Sequence, residues 1–190
     1  MQLTTERLRI IPLTPAQLQL WAEGSAALGR ELQCAGPAAP LADGFRQIVE
    51  GQRIAAAGDT ANHLFYTFWL LVTHPGGIIV GSACFKGAPS TGGEVEIGYG
   101  LEKSHEKQGY MAEAVAALCR WALRQPGVRH IMAETDPENS ASQRILQRTG
   151  FSPIRPGDMQ WWKLGNDAKS GWCRIGSNDQ NCTILVICVS

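Results

Sequence analysis

No block of like charge runs through this chain: 17 Lys and Arg face 17 Asp and Glu, and the formal net charge is zero. That balance argues against a strongly basic nucleic-acid surface and against an acidic sink for polycations. No apolar run approaches the roughly 20 residues that a bilayer span requires. The opening, Met1 to Gln19, carries Glu6, Arg7 and Arg9 where a secretory signal would keep an unbroken apolar core. The expectation is a soluble, cytoplasmic protein that engages neither nucleic acid nor membrane. The six cysteines, Cys34, Cys84, Cys119, Cys173, Cys182 and Cys188, form no CxxC pair. Without a secretion signal they read as reduced thiols, with Cys84 and Cys119 as small core residues. His63, His74, His105 and His130 are dispersed with no metal-ligand spacing, so no metal site is expected. A Ser-His-Asp or Cys-His pattern for covalent catalysis is also lacking.

What is present is 44% hydrophobic residues in 190, enough for one well-buried core. The sequence divides into a domain over residues 1–164 and a C-terminal extension, 165–190. That extension is rich in Gly, Ser, Asn and Asp and ends in the apolar run "CTILVICVS". It reads as an extra strand, an oligomer contact or an appended segment.

"ERLRIIPL" reads as a first strand, and Pro15 opens a helix, "PAQLQLWAEG", with Leu18 and Trp21 or Leu20 inward. Gly29 to Gly44 reads as an irregular connection, followed by a helix with Phe45, Ile48, Val49 and Ile54 at helical spacing. "LFYTFWLLVT", "GIIVGSACFKG" and "GEVEIGYGL" then read as three strands of an antiparallel meander. A helix from Gly109 to Gln125, the strand "HIMAETD", the helix "NSASQRILQRTG" and the strands "FSPIR" and "MQWWKL" follow. The βαβ step makes "EIGYGL" and "HIMAETD" parallel neighbours. The fold class is a mixed α/β sheet flanked by helices.

The stretch "SHEKQGYMAEAVAALCRWALRQ" sets Gly109 after a strand and before an apolar helix. A helix N-terminus leaves four amides unpaired and carries partial positive charge, which suits a phosphate, and glycine lets a ligand come close. An ordinary helix-starting turn is the plain alternative.

With its neighbours, "EVEIGYGLEKSHEKQGYMAEA" resembles the acetyl-CoA-binding motif of the GNAT N-acetyltransferases, especially the RimJ/RimL-type branch. "LTTERLRIIPL", "AETDPENSASQRILQRTGF" and "MQWWKL" are similar to that branch's opening strand, its strand–loop–helix and its last strand, in the same order. The resemblance runs from about Leu3 to Leu164. It implies a mostly antiparallel mixed sheet splayed between its fourth and fifth strands, with acetyl-CoA as cosubstrate lying in the split. It also implies that the amides from Gln108 through Ala112, including Gly109, Tyr110 and Met111, cradle the pyrophosphate. The backbone of Tyr99 and Leu101 pairs with the pantetheine arm, and Asn139 contacts the cosubstrate. The chain departs from the family pattern at Glu106, in place of Gln or Arg, and at Met111, in place of Gly or Ala.

Acetyl transfer to an amine needs a neutral nucleophile and a proton for the departing thiolate. Glu94 and Glu96 alternate with Val95 and Ile97 and so share one strand face. Glu96, nearer the pantetheine end, is the preferred base; a solvated or ion-paired carboxylate is its plain reading. Ser142 is the candidate acid, and its plain reading is an early helix residue beside a cap. His105 reads more simply as a surface histidine next to Glu106. Trp161 and Trp162 alternate, which sends one to the core and the other to the acceptor side or a partner. The expected activity is N-acetylation of a primary amine, a protein N-terminus or a small molecule, with a homodimer left open. The competing readings are an inactive CoA-binding sensor and an interaction protein whose tail adds as a strand.

Overall fold

A computed structural model describes residues 1–36, 41–155 and 157–165. Apart from Gly165, the C-terminal extension lies outside the described residues, as do Cys173, Cys182 and Cys188. The strands are β1 (Leu3–Thr4), β2 (Leu8–Pro12), β3 (Phe68–Thr73), β4 (Ile79–Phe85), β5 (Glu94–Leu101), β6 (His130–Thr135), β7 (Ser152–Arg155) and β8 (Gln160–Gly165). They form one sheet in the order β1-β2-β3-β4-β5-β6-β8-β7. Every neighbouring pair is antiparallel except β5 and β6, which are parallel. The meander and the parallel crossover are therefore as the sequence pattern predicts. The helices are α1 (Pro15–Glu23), α2 (Ser25–Leu32), α3 (Asp43–Gly58), α4 (Tyr110–Ala122) and α5 (Ser140–Arg148).

Each face of the sheet carries its own core. β3 reads as a continuous apolar run because it is buried on both sides. Phe68, Leu70 and Val72 join Leu18, Trp21, Leu28 and Val49 of α1–α3, while Trp69 and Leu71 join Val115, Leu118 and Trp121 of α4. Thr14 caps α1 by accepting from the Gln17 N–H, and Gln17 returns the bond to the Thr14 N–H. The core under α1–α3 takes strand residues from β3 and β4 and, among the described residues, none from β5, β6 or β8. The sheet face beyond β4 is thus left uncovered by those helices.

Two expectations are corrected. Residues 25–32 form α2, where the pattern predicts helix only to Gly24 and an irregular connection from Gly29. Gly29, a poor helix former, sits inside α2 because a Cβ there would come within 2.7 Å of the Cys34 carbonyl oxygen. Ile54, read with Val49 as part of one helical face, is 59% exposed on α3. Val49 and Ala56 share the buried face, whereas Ile54, five residues from Val49, lies about 140° round the helix from it. Among the described residues, no helix is long and apolar enough to cross a membrane.

Candidate active site

β5 has two edges and two faces, and they do different things. Its first three residues pair with β6, Glu94 with His130, Val95 with Ile131 and Glu96 with Met132. β5 then continues to Leu101 and β6 to Thr135. On the opposite edge, β5 stays paired with β4 through Leu101. Hydrogen-bonding direction alternates along such a strand. The Glu96 carbonyl accepts from Lys86 N–H on the β4 edge, and Glu102 N–H donates to the Val80 carbonyl on that same edge. Tyr99 and Leu101, at odd positions between them, therefore turn their N–H and C=O groups to the β6 edge, beyond the last residue pair in register.

The faces alternate in the same way. Val95, Ile97 and Tyr99 enter the core under α4 and α5. There the Tyr99 hydroxyl lies 2.9 Å from Ser142 Oγ, both groups buried. Burial pushes the Tyr99 phenol well above its ordinary range, with the Ser142 hydrogen bond opposing, so it stays protonated at neutral pH. Ser142 N–H also donates to Asn139 Oδ1 at 3.0 Å, so Asn139 is the N-cap of α5.

Glu94 and Glu96 face the other way, into a hollow of about 570 Å³ that Met132, Ile154, Arg155 and Trp161 also line. Lys86 Nζ pairs with Glu96 Oε1 and reaches Glu134 at 3.7 Å. Lys163 pairs with Glu94 at 3.4 Å. The Glu96 side chain is 21% exposed against 44% for Glu94, and Glu96 is the last β5 residue in register with β6. The two tryptophans divide as the alternation predicts: Trp162 is in the core, its indole donating to Thr135 Oγ1 at 2.9 Å, and Trp161 is on the hollow.

Gly109 is the N-cap of α4, with φ at +81° in the left-handed region where a side chain is strained. The first intrahelical bond runs from Glu113 N–H to the Gly109 carbonyl at 3.2 Å, which leaves the amides of Gly109, Tyr110, Met111 and Ala112 ahead of the helical ladder. A Cβ on Gly109 would meet Arg7 Nη2 at 3.2 Å. The missing side chain thus makes room for a guanidinium as well as for a ligand. Arg7 donates from Nη1 to the Gln108 carbonyl at 2.8 Å and from Nε to Glu113 Oε2 at 2.8 Å, and it lies 5.0 Å from the Tyr110 ring centroid. Because a peptide's C=O and N–H point opposite ways, holding the Gln108 carbonyl aims the Gly109 N–H away from Arg7.

The Glu113 carboxyl is held below its ordinary range: burial raises it, but hydrogen bonds from Thr5 and Arg7 and the Arg7 charge outweigh that. A depressed carboxylate contributes stability above its unfolded pKa and loses it as pH falls through the folded value. Glu113→Gln should therefore cost most stability near neutrality and progressively less as pH falls below about 4. Urea unfolding from pH 7 to pH 3 measures this, and a gap independent of pH would deny the clamp an ionic part.

Residues 7–152 match the family model described as the acetyltransferase (GNAT) domain. The chain belongs to the GNAT family. Among curated GNAT relatives it is 39% identical over 83 residues to the uncharacterized N-acetyltransferase YjdG of Bacillus subtilis, covering 44% of this chain and 49% of that protein. It is 27% identical over 73 residues to the uncharacterized N-acetyltransferase YnaD of the same organism, covering 35% and 43%. The chain spans about half the length of the curated relatives it matches. A RimL ribosomal-protein acetyltransferase in complex with coenzyme A superposes with TM-score 0.61 at 17% identity, covering 89% of this chain and all of that one. A ribosomal-protein alanine acetyltransferase from Vibrio fischeri gives 0.64 at 15%, covering 88% and 98%. At these identities the likeness is one of fold.

Against the GNAT motif, Gln108 through Ala112 form the turn and first residues of α4, and Tyr99 and Leu101 lie on the unpaired stretch of the β6 edge. Asn139 and Ser142 open α5. His105 lies in a 3-10 turn, its Nδ1 3.1 Å from Ser104 Oγ. Four residues take no role from the sequence pattern: Arg7, Lys86, Glu134 and Arg155. Their partners lie on other elements, Arg7 being 106 residues from Glu113, and no local pattern marks them.

Proposed function

We propose that this GNAT chain is an acetyl-CoA-dependent N-acetyltransferase that acetylates a primary amine by direct transfer. One observation carries the reading. β5 presents Glu96 on one sheet face and the Tyr99–Ser142 pair on the other, with an unpaired backbone edge between them.

That edge suits an extended amide-bearing chain such as the pantetheine arm, since unpaired backbone groups are costly. The free amides from Gln108 through Ala112 suit its pyrophosphate, and Asn139 borders the same path. Acetyl-CoA supplies the acetyl thioester when bound. Glu96 takes a proton from the acceptor ammonium, freeing the nitrogen lone pair. The new C–N bond forms as the C–S bond breaks, the departing sulfur takes a proton from Ser142, and the second proton shed by the new amide nitrogen restores the serine by way of water. With Tyr99 donating to Ser142 Oγ, the serine proton is left for that task.

The acceptor is a protein N-terminus or a small-molecule amine; the RimL and alanine acetyltransferase neighbours are named for ribosomal proteins. A second reading, CoA binding without transfer, draws on the Lys86 ion pair that occupies Glu96. Calorimetric titration with acetyl-CoA, followed by thiol release in the presence of an amine panel, separates them. Micromolar binding with amine-dependent CoA release supports the transferase. Binding with no release favours the second reading, and no binding by folded protein overturns both.

A further inference from the structure

We propose that the acceptor carries a carboxylate as well as its amine, and that Arg155 binds that carboxylate at the rim of the hollow. The inference rests on the transferase reading above and adds a substrate class to it.

The hollow is charged at two places, with opposite sign. At its floor is Glu96, whose partner Lys86 also reaches Glu134. Two carboxylates at this place favour a cation such as an ammonium. Glu94 adds little there because Lys163 pairs with it. At the rim, Arg155 lies over the Trp161 ring, 5.8 Å from its centroid. Among the described residues Arg155 has no carboxylate partner, although Arg7, Arg46, Arg53, Lys86 and Lys163 each pair with a carboxylate.

A guanidinium resting on an aromatic face keeps its edge N–H groups free and holds its plane fixed. That arrangement is ready for the two oxygens of a carboxylate. Ile154 and Trp161 give the wall between floor and rim an apolar surface. An acceptor with an ammonium at one end, a carboxylate at the other and apolar atoms between them matches the sequence of floor, wall and rim. A free amino acid whose amine and carboxylate are separated by a carbon chain, or a peptide N-terminus followed by an acidic residue, has that chemistry. A polyamine does not, since Arg155 would repel its second cation.

The test measures kcat/KM for acetyl-CoA-dependent CoA release on matched pairs: free amino acids against their carboxamides, and tetrapeptides with Asp or Asn at the second position. Wild type should prefer the carboxylate member of at least one pair by about tenfold or more, the size of one hydrogen bond to a charged group. Arg155→Gln should bring the two rates of that pair together, with Arg155→Lys between. The pair that responds tells a free amino acid from a peptide. Equal rates within every pair, or a preference that survives in Arg155→Gln, overturns the inference while leaving the transferase standing. No CoA release with any amine overturns both.

Discussion

Replacing Glu96 by Gln should lower kcat by about 100-fold or more at saturating acetyl-CoA, the usual worth of a positioned general base. Affinity for acetyl-CoA should stay at the wild-type value, because the carboxylate faces the hollow and the proposed cosubstrate path runs along the β6 edge. The substitution preserves shape, and Lys86 keeps Glu134 as a partner, so folding should survive; a melting curve checks that. Glu94→Gln is the control, since that side chain is more exposed and two residues further from the unpaired edge. Retained turnover in Glu96→Gln with loss in Glu94→Gln would move the base to Glu94. Retained turnover in both would leave proton removal to water.

The second large effect is expected at Gly109. Gly109→Val places a β-branched side chain at φ +81°, a conformation such residues avoid. Its Cβ would press on Arg7 Nη2. Either the turn relaxes toward negative φ or Arg7 leaves the Gln108 carbonyl; both outcomes swing the Gly109 and Tyr110 amides. Calorimetry should then show acetyl-CoA affinity reduced by about 100-fold, the sum of two lost hydrogen bonds to a charged group. Affinity for pantetheine, which lacks the pyrophosphate, should fall little. Equal losses for both ligands would mean that the variant has disturbed the β5 edge instead.

Much of this architecture was legible because its signals are local. Period-two alternation put Glu94 and Glu96 on one face, and a strand, a lone glycine and an apolar helix in succession marked the amide turn. The division of Trp161 from Trp162 followed from the same alternation. Other features were hidden for a physical reason. α2 has a glycine in its interior that is kept for close packing against Cys34, so a residue that normally signals a break signals contact instead. Ile54 is apolar but lies off the stripe that Val49 and Ala56 bury. Arg7 and Glu113, and the Lys86 cluster, come together only through sheet topology.

Among the described residues, β7 is the last strand of the sheet and pairs only with β8, with all four of its residues exposed. It supplies Ile154 and Arg155 to the hollow, whereas the groups assigned to transfer sit on β5 and α5. On these proposed roles, the fold separates what is chosen from how it is acetylated. Substitutions in β7 can retune the choice of acceptor at the margin of the sheet without burying a new group or disturbing a ladder that the chemistry needs.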